Sequence, residues 1–126
     1  MERVRTAPLS DQQEPMWLLH QLLPDVPADH ESVTLILRGP LDVEALRGSL
    51  DRFVERHEIW RTVFVNADEG PRQVVQATGG LALTVRDIRA LTAAEREAEA
   101  LRLADDSARQ PFDLARGPLE IGRAHV

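Results

Sequence analysis

A chain of 126 residues is long enough for a single domain with a modest core. Its 21 acidic and 15 basic residues give a net charge of −6 with no block of Lys or Arg, so we expect neither nucleic acid nor an anionic membrane as a partner. The chain contains no cysteine, which excludes disulfides and thiolate metal sites, and no apolar run has the length of a signal peptide or a membrane span, so we expect a cytoplasmic protein.

The first predicted element is a helix that follows Ser10. Residues 1–7 are few and charged, and we expect them to be disordered. Ser10 and Gln13 have the spacing of a capping box, and Pro24 should end the helix. If Ser10 is the cap, Pro15 lies past the first turn and removes a backbone hydrogen bond at a cost of up to about 3 kcal/mol, so the helix should kink at Pro15 or begin there.

A strand and a second helix are predicted next. Apolar side chains recur at every second position of residues 33–38, with Val33, Leu35 and Leu37 on one face, so at least that face should be buried. Gly39 breaks the pattern. Asp42 is then placed to cap a helix from residue 43 to about residue 57.

The middle of the chain predicts a hairpin followed by a further strand. Residues 68–71 read Asp-Glu-Gly-Pro, a turn signal between the runs 62–66 and 72–76. Gly79 and Gly80 precede a strand in which Leu81, Leu83 and Val85 share a face.

A third helix should begin at the capping box formed by Thr92 and Glu95 and end before Pro111. Its predicted core face is thin and is interrupted by Asp105: Ala94, Ala98, Leu101 and Ala108. The order helix, strand, helix, strands, helix indicates a layered α/β fold and not a helical bundle.

The residues offer little recognisable chemistry of their own. His57-Glu58 has the start of a zinc-protease helix motif, but the second histidine should fall at position 61, where Arg61 stands, so we expect no metal site. No serine has the Gly-x-Ser-x-Gly elbow of a nucleophile. His20 is better interpreted as a surface or core-edge residue than as a base, and His30 has no partner visible in the sequence.

Residues 56–64 form a junction between the second helix and the hairpin, where side chains of two elements can converge. An arginine in such a place can form a two-pronged salt bridge with a carboxylate from elsewhere in the fold. The alternative is a solvated helix end whose cations are favoured by the helix dipole. From the residues alone both interpretations stay open.

Three stretches, in order, resemble the motifs of the condensation domains of nonribosomal peptide synthetases. The junction reads Arg-His-Glu-Ile-Trp-Arg-Thr-Val-Phe and is similar to the family's Arg-His-Glu-x-Leu-Arg-Thr-x-Phe, with Trp60 in place of Leu. Residues 8–19 resemble its opening Ser-x-Ala-Gln-x-Arg-x-Trp-x-Leu, and residues 111–119 resemble Pro-Phe-Asp-Leu-x-x-Gly-Pro-Leu. The resemblance covers roughly residues 7–119.

The resemblance implies a chloramphenicol-acetyltransferase-like fold with two lobes and the active site in a tunnel between them. Such domains join a carrier-bound acyl or peptidyl thioester to a carrier-bound aminoacyl thioester by forming an amide bond. It implies carrier protein domains and an adjoining adenylation domain as partners. No cofactor is bound directly, because the substrates arrive on the phosphopantetheine of the carrier domains.

The family's catalytic histidine lies in a His-His-x-x-x-Asp-Gly motif that does not occur here. We therefore expect residues 8–119 to be part of the first lobe, truncated before that motif, and to be inactive alone. The resemblance gives Arg61 the role of pairing with the motif's Asp and so supporting the catalytic loop. Arg56, His57 and Glu58 also match motif positions and are assigned support of the junction only. The remaining motif residues are Thr62, Ser10, Gln13, Trp17, Phe112 and Asp113.

Departures from the family pattern keep other functions open. Pro15 stands where the opening motif has Arg, Gln12 stands where it has Ala, and Trp60 enlarges a position that we expect to be buried. Related domains epimerise or cyclise their substrates while keeping this front part. A non-catalytic, condensation-like docking domain is also possible, and Pro15 and Gln12 are the features that favour it.

Residues 120–126 read Glu-Ile-Gly-Arg-Ala-His-Val, where the family has an apolar strand. The string is similar to the translation of a widely used sequencing adapter read in frame. We expect it to be a non-native tail, so His125 should not be counted as a catalytic histidine.

Overall fold

In a computed structural model, which describes residues 5–27 and 29–126, helices and strands combine as the predicted α/β class requires. The elements in chain order are β1 Arg5–Pro8, α1 Gln13–Leu22, α2 Val43–Arg56, a 3₁₀ turn Glu58–Arg61, β2 Thr62–Ala67, β3 Gly70–Val75, β4 Ala82–Arg86, α3 Ala93–Ala108 and β5 Ile121–His125. An antiparallel sheet has the order β1-β3-β2, and β4 pairs in parallel with β5. No helix of the described chain has both the length and the apolar character needed to cross a membrane.

The predicted hairpin is confirmed. Strands β2 and β3 pair from Thr62 opposite Val75 to Ala67 opposite Gly70. Gly70 has φ +110°, a conformation that glycine adopts without the steric cost of a Cβ. Val63 and Thr62 at the start of β2 are buried, so the hairpin's root lies in the core while its turn is exposed.

Strand β1 corrects the prediction that residues 1–7 are disordered. Arg5 lies opposite Val75 and Pro8 opposite Arg72, so β1 covers the free edge of β3. Residues 1–4 lie outside the described part of the chain. The prediction failed for residues 5–7 because backbone pairing at a sheet edge requires no apolar pattern in the added strand.

Helix α1 begins at Gln13, between the two predicted starts after Ser10 and at Pro15, and this removes the difficulty with Pro15. The capping box is confirmed, because the Ser10 amide donates to Gln13 Oε1 at 2.8 Å and the Gln13 amide donates to Ser10 Oγ at 3.2 Å. The helical residues start at Gln13, so Pro15 is in the first turn, where backbone N–H groups have no intrahelical acceptor. The predicted kink and the predicted loss of a hydrogen bond at Pro15 are therefore wrong.

Residues 33–38 do not form the predicted strand. They have no regular secondary structure, belong to no sheet of the described chain, and expose their apolar side chains: Val33 81%, Leu35 74%, Ile36 77% and Leu37 70%. Alternating apolar side chains are typical of a strand, but a strand also needs a neighbouring strand to satisfy its backbone hydrogen bonds. None of the described strands pairs with this segment.

We expect the 126-residue chain to self-associate through residues 33–38, because an exposed apolar segment that pairs with none of the described strands is a template for pairing. Replacing Ile36 with Lys should shift the chain toward monomer in size-exclusion chromatography with light scattering. The matched control is Val26→Lys, which puts the same charge on another half-exposed apolar residue outside the segment. A monomeric wild-type chain with a cooperative thermal transition would show that this prediction is wrong.

Helix α2 is capped as predicted, since Asp42 Oδ1 accepts a hydrogen bond from the Ala45 amide at 2.9 Å. It ends at Arg56, one residue before the predicted end. Val54 is 1% exposed and fixes the inner face of the helix.

Helix α3 has its predicted capping box at Thr92 and Glu95 but buries a different face. Leu103 is 4% exposed, whereas Leu101, placed on the predicted core face, is 59% exposed. Small side chains at many positions made several faces look equally apolar, and only packing selects the one that carries Leu103. In β4 the shared face is confirmed, with Leu83 buried.

Candidate functional site

Arg61 ends the 3₁₀ turn at the junction and is held by backbone on two sides. Its side chain is only 16% exposed, and Nη1 donates a hydrogen bond to the carbonyl oxygen of Gln76. The Gln76 amide in turn donates to the Arg61 carbonyl at 2.9 Å. A Cβ on Gly79 would lie 2.8 Å from the Arg61 Cβ, so the absence of a side chain there lets the loop close over the arginine.

Glu58 is the acidic residue that the described chain places near Arg61. Its Oε1 lies 3.7 Å from Arg61 Nη2, which is a loose ion pair without a hydrogen bond. Both of its carboxylate oxygens accept from Arg5 Nη1, at 2.7 and 2.8 Å. A carboxylate is therefore present near Arg61, but Arg5 binds it.

The remaining motif residues of the junction do not converge on Arg61. Arg56 is exposed and makes no ion pair with any described residue. The exposed ring of His57 packs against Phe53 with centroids 4.6 Å apart. Thr62 is 4% exposed, and its Oγ1 donates to the Glu58 carbonyl at 2.8 Å, which fastens the start of β2 to the turn.

The three motif stretches do meet, at a cleft of about 830 Å³ between α1, the hairpin and the segment that follows α3. The Phe64 amide donates to the Leu114 carbonyl at 2.7 Å, which joins the central and third motifs. His20 Nε2 donates to the Phe112 carbonyl at 3.1 Å, which joins α1, the helix that carries most of the first motif, to the third. Side chains from all three motifs line the cleft, among them Ser10, Gln13, Trp17, Trp60, Phe64 and Phe112.

Asp113 of the third motif is a turn residue. Its Oδ1 accepts from the Ala115 amide at 3.0 Å, and its carbonyl accepts from the Gly117 amide at 2.9 Å. Arg116 Nε lies 3.7 Å from its other carboxylate oxygen. Asp113 therefore shapes the segment that contacts β2, and none of these contacts involves Arg61.

Trp60 lines this cleft and is not fully buried, contrary to the expectation for its position. Its ring contacts Phe53 edge-on with centroids 5.0 Å apart, and part of its surface faces the cleft. The larger side chain is accommodated because part of it faces the cleft, so smaller neighbours are not required to make room for it.

Two histidines contribute to the cleft in ways that the sequence did not reveal. His20 is a half-buried residue at the core edge, as predicted, and its Nδ1 is buried without a hydrogen-bond partner in the described chain. His30 Nδ1 donates to the Ala108 carbonyl at 3.0 Å, and its ring meets Phe112 edge-on at 4.8 Å. Both acceptors are backbone carbonyls more than 70 positions away, and no spacing rule identifies such partners.

Burial is the main cause of the pKa shifts of Glu120 near the cleft and of His125 in β5. Burial raises the pKa of the Glu120 carboxyl at the rim of the cleft. Burial, followed by the charges of Arg123 and Arg86, lowers the pKa of His125. In residues 5–27 and 29–126 no cluster of three or more His, Asp or Glu side chains is arranged to hold a metal ion.

Comparison with known proteins connects these motifs to one family. The family described as the condensation domain matches residues 4–121. The chain is 41% identical over 112 residues to the phosphinothricin tripeptide synthetase PhsC from Streptomyces viridochromogenes, covering 89% of this chain and 10% of that protein. It is also 41% identical over 112 residues to the chondramide synthase from Chondromyces crocatus, covering 89% of this chain and 3% of the relative.

Solved structures agree with the sequence relatives. The starter condensation domain of the rhizomide synthetase RzmA superposes with a TM-score of 0.73 at 27% identity, over 91% of this chain and 28% of that chain. A four-domain nonribosomal peptide synthetase superposes with a TM-score of 0.77 over 100% of this chain and 10% of that one, at 19% identity, which supports the fold alone. The chain thus spans only a small part of the relatives that it matches.

Proposed function

Because this chain belongs to the condensation-domain family of nonribosomal peptide synthetases, we propose that it forms the front of the first lobe of such a domain and supports amide-bond formation between carrier-bound thioesters. In this reaction the amine of the aminoacyl thioester attacks the carbonyl carbon of the donor thioester. A C–N bond forms, the C–S bond breaks, and the proton lost by the amine balances the thiolate that leaves. We assign this chain a supporting part in the reaction, through Arg61, and no catalytic group.

Arg61 carries the proposal. We assign it the support of the catalytic loop through an ion pair with the loop's aspartate, a loop that the remaining residues of the domain would supply. The supporting observation is that its guanidinium is fixed by the Gln76 carbonyl yet forms no hydrogen bond with any described carboxylate. A half-buried cation in this state favours an incoming carboxylate that can make a two-pronged pair.

The partners follow from the same proposal. Carrier protein domains would deliver both substrates on phosphopantetheine, an adenylation domain would adjoin the condensation domain, and no cofactor would bind this chain directly. The likeness to peptide synthetases supports these partners. A cytoplasmic location suits enzymes whose carriers are loaded with intracellular amino acids, and we include it in the proposal.

The test uses the intact condensation domain, meaning this segment together with the residues that follow it at its source locus. Purified intact domain should form an amide between a donor thioester and an aminoacyl thioester on carrier domains, detected by mass spectrometry. The 126-residue chain alone should give no product above the uncatalysed rate. The proposal is wrong if the intact domain releases no amide from properly loaded carriers.

The same assay separates the alternative functions. An epimerising relative would invert the stereocentre of a carrier-bound residue, a cyclising relative would yield a heterocycle, and a docking domain would bind carriers without turnover. The departure at Pro15 had favoured the docking alternative, but this proline lies in the first turn of α1, where it costs no hydrogen bond. We therefore favour condensation.

We also propose that residues 120–126 are a non-native tail. In support, the family match ends at residue 121, and the string resembles an adapter translation. The strand β5 formed by Ile121–His125 is compatible with this origin, because its pairing with β4 uses backbone groups that any sequence offers. Long-read sequencing of the source locus is the test, and finding these seven codons in genomic context would refute the proposal.

A further inference from the structure

Glu58 and Arg61 are aligned by the geometry of the 3₁₀ turn. With three residues per turn, side chains at i and i+3 lie one above the other, so Glu58 and Arg61 face the same side. Left to itself, a glutamate in this place can move toward the arginine and form a short pair. Such a pair would occupy donors of Arg61 that the proposed ion pair with the catalytic loop requires.

Arg5 prevents that approach. Its Nη1 lies 2.7 and 2.8 Å from the two oxygens of the Glu58 carboxylate, so both oxygens already accept a charge-assisted hydrogen bond. The nearest Arg61 nitrogen remains at 3.7 Å. Strand β1 fixes the position of Arg5, because its backbone pairs with β3 from Arg5 to Pro8.

We propose that Arg5 is a positioning residue, which holds the Glu58 carboxylate away from Arg61 and so keeps the Arg61 guanidinium available to the catalytic loop. This inference rests on the proposed role of Arg61. In this proposal β1 not only covers the edge of the sheet but also brings a second cation, Arg5, to the junction.

The experiment measures amide formation by the intact condensation domain in three variants. Arg5→Gln should lower turnover roughly two- to fivefold, the scale of a partly exposed ion pair, because Glu58 then pairs with Arg61. Glu58→Gln should stay near the wild-type rate. The double variant should recover that rate, because the competing carboxylate is gone. The loss in Arg5→Gln should also shrink in 1 M salt, which screens exposed charges.

A purely structural role for the Arg5–Glu58 pair predicts the opposite pattern. If the pair only fastened β1, Glu58→Gln would lose as much activity as Arg5→Gln, and the double variant would not recover. Either result would overturn the inference. Arg61→Ala serves as the reference: unchanged activity in that variant refutes the role of Arg61 itself, whereas a loss there together with an unchanged Arg5→Gln refutes only the role of Arg5. Urea unfolding of each variant keeps effects on folding separate from effects on turnover.

Discussion

Replacing Arg61 with Lys in the intact condensation domain is expected to lower both the soluble yield and the rate of amide formation. Lysine keeps the charge but has a single ammonium on a flexible stem. It cannot donate to the Gln76 carbonyl and grip a carboxylate with two parallel hydrogen bonds at once. Loss of one hydrogen bond that involves a charged group costs about 1.5–3 kcal/mol, so turnover should fall roughly tenfold or more.

The measurements are soluble yield on expression and turnover with loaded carrier domains. Arg72→Lys is the matched control, because Arg72 pairs with Glu69 at the exposed hairpin turn and should tolerate the exchange. Wild-type yield and turnover in Arg61→Lys would contradict the role assigned to Arg61.

Replacing Gly79 with Ala is expected to displace Arg61 without touching any charge. The added Cβ would lie 2.8 Å from the Arg61 Cβ and 3.7 Å from Val54 Cγ1. Neither neighbour can yield easily, because Val54 is 1% exposed and the Cβ is the fixed end of the arginine. Overpacking of this kind costs about 1–3 kcal/mol of the free energy of unfolding, and the shift of Arg61 should add a loss of turnover.

Gly80→Ala provides a control at the neighbouring position. Its added Cβ would meet only Asp51 Oδ1 at 3.8 Å, an ordinary contact, and neither glycine has a positive φ that would strain alanine. Urea denaturation of both variants of the intact domain should show a lower midpoint for Gly79→Ala alone. Equal midpoints would mean that the loop does not press on Arg61 as described.

The elements that depend on neighbours in sequence were predicted well. Contacts within four residues produce the helix caps at Ser10, Asp42 and Thr92 and the turn at Gly70. Such features can therefore be predicted from the local sequence. The condensation-domain resemblance then supplied the chloramphenicol-acetyltransferase-like fold, which the likeness to solved condensation domains confirms.

The failures involve contacts between distant segments. Strand β1 depends on a free edge of β3 some 65 positions away, and whether residues 33–38 join a sheet depends on which strands lie nearby. The inner face of α3 was misassigned because Leu103 is selected by packing and not by periodicity. Where alternation or composition allows several arrangements, tertiary contacts make the choice.

The candidate site shows the same division. The motifs identified Arg61, but nothing local indicated that Glu58 would be bound by Arg5 or that His20 and His30 would reach backbone carbonyls across the cleft. The role of Arg61 in supporting the catalytic loop stays a prediction.

The pairing of β1 with β3 also has a mechanical consequence. Arg5 is the first paired residue of β1 and lies opposite Val75, and its side chain donates a hydrogen bond to the Glu58 carboxylate. A force applied to the chain ahead of Arg5 therefore acts on the Arg5–Val75 pair and on the Arg5–Glu58 ion pair before it acts on Pro8. A force perpendicular to β1 separates the four residue pairs one after another, beginning with the pair beside Arg61. A force along β1 acts on all four pairs at once. The direction of a force applied ahead of Arg5 thus decides how easily it disturbs the junction at residues 56–64.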